Sequence, residues 1–211
     1  MRALSLFVFF GLAVVGCKDP AANVTRATVE SATGDKAAAP AGAKPGEALA
    51  SLAINPSNTK VEFVGAKVTR SHEGGFTDFA GTVELNDPIE KSQIDITIQT
   101  ASLYADEEKL TKHLKSDDFF AVDKYPTATF RSTEIRKEGD GHVITGDLAL
   151  HGITKRISFP ATIAVTDQEV SATSEFSINR HDFAITYPGM PDDLIRDLVV
   201  LKLSLKLPRQ S

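Results

Sequence analysis

The 211-residue sequence contains no tryptophan and only one cysteine, Cys17. A single cysteine excludes an intramolecular disulfide and every zinc site built from several thiolates. The five histidines form no His-x-His or His-x-x-x-His pair, and no carboxylate run has calcium-loop spacing, so we expect no metal site. Neither a Gly-x-Ser-x-Gly motif nor a phosphate-binding loop is present. We therefore expect no catalytic residues, no cofactor and no enzymatic activity.

Positive charge is also scarce. The chain has 23 Lys and Arg residues against 28 Asp and Glu residues, which gives a formal net charge of −5. The basic residues are scattered, whereas a protein that binds nucleic acid needs a basic patch to neutralise phosphates. The sequence therefore predicts no nucleic-acid partner.

The only long hydrophobic run stands at the start of the chain. Arg2 precedes an apolar stretch at 3–15, which is shorter than the roughly 20 residues that span a bilayer and is typical of a signal peptide. The residues Val14-Val15-Gly16-Cys17 resemble a bacterial lipobox, in which the cysteine thiol is converted to a lipid-bearing thioether. We therefore predict a signal peptide at 1–16 and a lipid anchor at Cys17; ordinary secretion with a free cysteine is the alternative.

Residues 18–50 are rich in alanine, proline and glycine and contain no aromatic residue. Such a composition cannot build a core, so we expect residues 17–50 to form a flexible tether with a reach of roughly 30 Å. The predicted location is the cell envelope, with the protein lipid-anchored and facing the periplasm. Lys18 directly after Cys17 resembles lipoproteins sorted to the outer membrane, which favours that membrane over the inner one.

Residues 51–211 have the size of one domain, and their hydrophobic pattern has mostly a period of two. Ile94, Ile96 and Ile98 alternate with polar residues, and the segment 199–207 alternates in the same way. We count about eight strands and one helical piece at 106–114, whose acidic first turn and basic last turn suit the helix dipole. Eight antiparallel strands form either a sandwich or a barrel, and periodicity does not choose between them.

Several motifs resemble the YceI-like, polyisoprenoid-binding domain family. They are HLKSDDFFAVDKYPTATF at 113–130, TGDLALHGI at 145–153 and FSINRHDF at 176–183, together with the Gly-x-Phe and Phe-x-Gly elements near Phe76 and Phe79. One departure is Ala184, which stands where the family commonly has glycine. The resemblance implies an all-β fold, an extended eight-stranded antiparallel lipocalin-like barrel with a short capping helix between two strands. It also implies that the barrel holds a long isoprenoid lipid, of polyprenyl or quinone type.

The expected ligand-binding residues are the apolar side chains on the inner strand faces and beneath the helix. They are Phe63, Phe76, Phe79, Ile96, Ile98, Leu110, Leu114, Phe119, Phe120, Phe130, Leu148, Phe159, Phe176, Phe183, Leu201 and Leu203. Of these residues, Phe119, Phe120 and Leu114 are the candidates for a lid on one end of the barrel; the alternative is that they are ordinary core residues beneath the helix. His72, His113 and Arg180 are possible polar contacts for a head group, although a capping or strand-bridging role is the simpler interpretation.

The predicted function is that of an anchored carrier or store for an isoprenoid lipid or quinone in the envelope, held to the membrane through lipidated Cys17. The alternative is a structural or protein-interaction lipoprotein whose barrel is solid and binds no ligand. Any barrel needs an apolar core, so the apolar strand faces alone do not distinguish the two.

Overall fold

The structure, a computed structural model, describes residues 18–31 and 48–209. The predicted signal peptide at 1–16, the anchor Cys17 and residues 32–47 of the expected tether lie outside the described residues. Within the described ranges, no helix is both long and apolar enough to cross a membrane.

Within residues 18–31 and 48–209, twelve strands form one antiparallel sheet and two more form a separate hairpin. The strands are β1 (Thr28–Ser31), β2 (Ala50–Ile54), β3 (Thr59–Ala66), β4 (Ser71–Phe76), β5 (Phe79–Leu85), β6 (Gln93–Gln99), β7 (Leu103–Ala105), β8 (Thr127–Glu138), β9 (Gly141–Leu150), β10 (Ile153–Val165), β11 (Glu169–Asn179), β12 (Gly189–Met190), β13 (Asp193–Leu194) and β14 (Leu198–Pro208). The helices are α1 (Glu108–Lys115) and three short 3-10 helices, Ile89–Lys91, Thr100–Ser102 and Arg180–Phe183.

The sheet order is β2-β5-β6-β8-β9-β10-β11-β14-β3-β4-β7, and β1 is attached to β10. The sheet curls, because Leu52 and Ile54 at one edge pack in the same core cluster as Val170 of β11 and Leu207 of β14. We call this curled sheet the barrel. The antiparallel, lipocalin-like class and the single helix between two strands are confirmed. The predicted count of about eight strands was too low, because short strands such as β1, β7, β12 and β13 lie outside the long alternating segments.

The barrel has a seam between β10 and β11. These strands pair only from Thr162 to Val165, although both continue well beyond that ladder. Pro160 explains where the pairing ends, because proline lacks the N–H that the next ladder bond requires. The carbonyl of Pro160 instead accepts a hydrogen bond from the Ser174 hydroxyl.

The N-terminal segment fills this seam. Residues Thr28–Ser31 pair with β10 on one side. On the other side, the N–H of Ala27 donates to the carbonyl of Ser177, and the N–H of Ser177 donates to the carbonyl of Thr25, both at 2.9 Å. Ala27 is only 3% exposed and belongs to the barrel core.

The start of the same segment lies on the outer face of the barrel. Ala21 is buried against Val64 of β3 and Val200 of β14, and Val24 packs beside them. The prediction of a flexible tether is therefore wrong for residues 18–31. The physical reason lies in β14, where the continuous apolar run 198–201 makes both faces hydrophobic, so that its outer face needs a cover.

Candidate functional site

A cavity of about 100 Å³ lies in the barrel interior. Its wall comes from the inner faces of strands all round the barrel, including Ile54, Val61, Val83, Ile144, Val170 and Leu207. None of the described residues that line it is charged. The cavity separates the apolar core into two clusters, which are bridged by the half-buried Ile94 and Leu203.

Four of the lining residues carry hydroxyl groups, and three of these hydroxyls form hydrogen bonds within the protein. Thr59 donates to the side chain of Asn58 at 3.0 Å, and Ser92 accepts from the backbone N–H of Asn86 at 2.8 Å. The hydroxyl of Ser174 is bonded to the Pro160 carbonyl across the seam. The exposed surface of the cavity is apolar, so it offers hydrocarbon rather than hydrogen bonds to a ligand.

The sequence-predicted interior residues surround this space. Ile96, Phe130, Phe159 and Leu203 line the cavity itself. The others on the strands belong to, or pack against, the two core clusters: Phe76, Phe79, Ile98, Leu148, Phe176 and Leu201, with Phe183 from the 3-10 helix. Two lining residues that were not predicted are Ile144 on β9 and Ile135 on β8. Ile144 could have been found by extending the alternation from Leu148, whereas Ile135 lies beyond a β-bulge between Ser132 and Glu134 that shifts the alternation by one residue.

Much of the inner face is only half-buried. Phe130, Leu148 and Leu201 each pack against a core cluster and yet keep some exposed surface. In a filled barrel such residues would be fully enclosed, because protein interiors are packed as densely as organic crystals. The barrel interior is therefore loosely filled around the cavity.

An aromatic row leads from the segment after α1 into the barrel. The ring of Phe120 lies 6.0 Å from that of Phe76, and Phe76 lies 6.2 Å from Phe63 on β3. Phe63 is two residues along the same strand face from Val61, which lines the cavity. The row and the cavity thus form one continuous apolar interior.

Phe119 belongs to a different group. It is 6% exposed and packs edge-on against His113, with ring centroids 5.0 Å apart, and against Tyr187 at 5.2 Å. The helix residues Leu110 and Leu114 are half-buried on α1. Of the two adjacent phenylalanines, only Phe120 contacts the aromatic row.

The predicted polar contacts all have protein partners. His72 Nδ1 lies 2.9 Å from Asp106 Oδ1, and His113 Nε2 lies 2.9 Å from Asp118 Oδ2. Arg180 is buried and donates to three backbone carbonyls, of Ile185, Ile195 and Arg196. Burial lowers the pKa of its guanidinium, and the nearby carboxylate of Asp197 opposes that shift. These contacts hold loops together at the end of the barrel that carries α1.

Comparison with known proteins identifies the family. Residues 52–207 match the model of the YceI-like domain. The chain belongs to this family. Among its relatives is Protein YceI of Escherichia coli O157:H7, which is 43% identical over 93 residues, or 43% of this chain and 48% of the relative. The chain spans about half to two thirds of the length of the curated relatives it matches, from 47% to 65%.

Solved structures support the same fold. BcnA of Burkholderia cenocepacia is 23% identical, with a TM-score of 0.65 over 72% of this chain and 98% of that protein. A polyisoprenoid-binding domain from Saccharophagus degradans is 14% identical, with a TM-score of 0.61 over 76% of this chain and 99% of that domain. At these identities the likeness concerns the fold alone.

Proposed function

We propose that this YceI-like protein is a membrane-anchored lipoprotein of the bacterial envelope that binds the chain of a long isoprenoid lipid in its barrel, as a carrier or store. The observation that carries the proposal is the uncharged cavity within a loosely filled interior. A protein of similar fold is described as a polyisoprenoid-binding domain, which fits an apolar chain as the ligand. No reaction is proposed.

The ligand must be long. Burying one CH₂ group contributes about 0.8 kcal/mol, so an isoprene unit of five carbons contributes at most about 4 kcal/mol. Association itself costs about 4 to 15 kcal/mol. One unit cannot offset that cost, whereas several units can.

The cavity is smaller than such a ligand. An apolar cavity of about 150 Å³ holds one benzene molecule, and the space here is about 100 Å³. A chain of several isoprene units therefore requires the interior to widen, and the half-buried inner side chains give it room to do so. We expect the lipid chain to lie at the cavity, because the nearby hydroxyls of Thr59, Ser92 and Ser174 have protein partners. We expect a quinone or phosphate head group to lie nearer the end of the barrel that carries α1.

The anchor belongs to the same proposal. Signal peptidase would cleave after Gly16, and acyl chains on Cys17 would hold the protein to the membrane in which isoprenoids dissolve. More than one acyl chain is needed for stable retention. Mass spectrometry of the mature N-terminus checks this: a diacylglyceryl-modified Cys17 supports the anchor, and an unmodified cysteine contradicts it.

The ligand is tested by organic extraction. A Cys17→Ser variant, secreted without lipid and purified without detergent, is extracted and the extract is analysed by mass spectrometry. The proposal expects a bound prenyl lipid in stoichiometric amount. A protein that yields none, and that takes up none when long polyprenols are added, would instead favour a structural or protein-interaction lipoprotein with a filled barrel.

A further inference from the structure

One end of the molecule exposes apolar side chains on a small projection. We call it the tip, and it consists of residues 67–69 together with β12 and β13. Val68 is 51% exposed, Met190 62% and Leu194 50%. The N–H of Val68 donates to the carbonyl of Leu194 at 3.1 Å, and Gly189 pairs with Leu194, so short backbone ladders hold the three side chains in one place.

Asp19 of the N-terminal segment lies beside the tip. The carboxylate of Asp19 pairs with the guanidinium of Arg196 at 3.1 Å. Arg196 follows directly on Ile195, which bridges to Lys67, and its N–H donates to the carbonyl of Ala66 at 2.8 Å. Only two peptide units separate Cys17 from Asp19 in the sequence, a span of at most about 7 Å.

Three of the basic groups around the tip are paired, and Lys18 is not among them. Lys67 forms an ion pair with Asp193, Arg70 with Glu107 and Arg196 with Asp19. Polybasic segments attract anionic membranes through unpaired charge, and here these three ion pairs compensate most of the positive charge in and beside the tip. Apolar contact is therefore the attraction that this surface offers to a partner.

We propose that the tip docks on the lipid bilayer, with Val68, Met190 and Leu194 entering its interfacial region. The proposal rests on the lipid anchor at Cys17, and it follows from the ion pair between Asp19 and Arg196, which fixes the chain beside the tip two residues after Cys17. An anchor close to Asp19 holds the tip against the membrane and brings apolar side chains to it at high local concentration. Residues 18–31 act as a fixed strap, and the barrel stands on its tip in a defined orientation.

This orientation arranges the interior relative to the membrane. Strand β3 runs from Val61, at the cavity, through Phe63, in the aromatic row, towards Val68 in the tip. From Val61 to Ala66, where the strand ends, five residue steps span roughly 17 Å. The membrane would face the end of the barrel that carries the aromatic row and α1, while the cavity lies at the far end.

The test uses the full-length, lipidated protein with one added cysteine. The thiol of Cys17 is blocked by the lipid, so a thiol-reactive fluorophore labels a Met190→Cys variant only at position 190. The matched control is Asp167→Cys, in the exposed turn between β10 and β11. Both are reconstituted on phosphatidylcholine vesicles and exposed to a quencher carried on lipid acyl chains and to an aqueous quencher.

We expect the label at 190 to be quenched from the lipid phase at least about fivefold more strongly than the label at 167, and equally so when phosphatidylglycerol is added. Replacing Val68 and Leu194 with serine in the Met190→Cys variant should remove most of that difference while the protein still floats with the vesicles.

Three outcomes would contradict the proposal. If the lipidated protein floats but the label at 190 remains in water, the docking is overturned and the anchor stands. A chain that carries no lipid and does not float overturns the anchor and the docking with it. A label that is shielded from water but unreached by the lipid quencher identifies a protein surface as the occupant and overturns the membrane.

Discussion

Ala184 adopts a backbone conformation that side chains avoid. It follows the 3-10 helix Arg180–Phe183 with φ of 55°, in the left-handed region, and its side chain is exposed. A non-glycine residue in this region costs about 1 kcal/mol or more of conformational free energy, and glycine is the usual residue where a helix ends in this way. This explains why the family commonly has glycine at the position.

Replacing Ala184 with glycine should therefore raise the free energy of unfolding by about 0.5 to 1 kcal/mol, as measured by urea denaturation. Ala80→Gly is the matched control, because Ala80 is exposed in the extended strand β5. There glycine should lower stability by a similar amount. A loss of stability in both variants would contradict the account.

The two adjacent phenylalanines should respond differently to truncation. Phe119 is buried between His113 and Tyr187, so Phe119→Ala should cost about 3 to 5 kcal/mol of stability. Phe120 is half-buried and contacts the aromatic row, so Phe120→Ala should cost clearly less while weakening lipid binding. Urea denaturation and displacement of a fluorescent polyprenyl probe measure the two effects. Equal losses of stability, with unchanged binding for Phe120→Ala, would show that neither residue forms a lid.

Residue positions on strand faces could be predicted, but their polar partners could not. Alternation alone places Ile96, Phe130 and Leu203 on the inner face. Nothing in the sequence pattern pairs His72 with Asp106, because the two residues lie on different segments that only the folded sheet brings together. For the same reason the carbonyl partners of Arg180 could not be foreseen.

At the scale of elements, β1 is the seam-filling strand, and its docking can be tested at one position. Ala27→Asp would place a carboxylate in the core, whereas Thr28→Asp places it in solvent. The first change should destabilise the protein by about 2 kcal/mol, and no more, because the segment can detach and return the carboxylate to solvent. It should also increase hydrogen exchange at the Ser177 amide. The second should do neither. Equal exchange at Ser177 in both variants would mean that β1 does not seal the seam.

The tip should loosen in acid. The pKa of the Asp193 carboxyl is held below its ordinary value, chiefly by the hydrogen bond from Lys67 and also by those from Thr69. A lowered folded-state pKa stabilises the ionised form, so the contribution is complete above the ordinary pKa of about 3.9 and is lost as the pH falls through the lowered value. The amide resonance of Thr69, followed by NMR, should therefore titrate below pH 3.9. In a Lys67→Met variant the same resonance should titrate at a higher pH than in the unaltered protein. A midpoint above 3.9 in the unaltered protein would contradict this linkage.

The long strands could be predicted and the short ones could not. Strands β8 to β11 and β14 have ten or more residues each, enough for a period of two to be recognised. Strand β1 has four residues in an alanine-rich segment, and its stability comes from two open strand edges and the apolar outer face of β14. Those partners arise only in the folded barrel, which is why composition indicated a tether.

At the scale of the whole molecule, the described parts combine into a barrel with the N-terminal segment packed along it. The tip and the start of the chain lie at one end, and the uncharged cavity lies towards the other. The sequence predicted the barrel through its family motifs, whereas the size of the interior space depends on the packing of side chains from many strands. Periodicity is the same for a filled barrel and a hollow one, so only the structure could distinguish them.

The central claim is that the barrel binds a long isoprenoid chain. Its most direct test is a series of prenols of increasing length, each titrated into the purified Cys17→Ser protein while displacement of a fluorescent polyprenyl probe is measured. Affinity should rise steeply with each added isoprene unit and level off once the interior is full, and the shortest prenols should not compete. Equal competition by short and long prenols, or none at any length, would contradict the account.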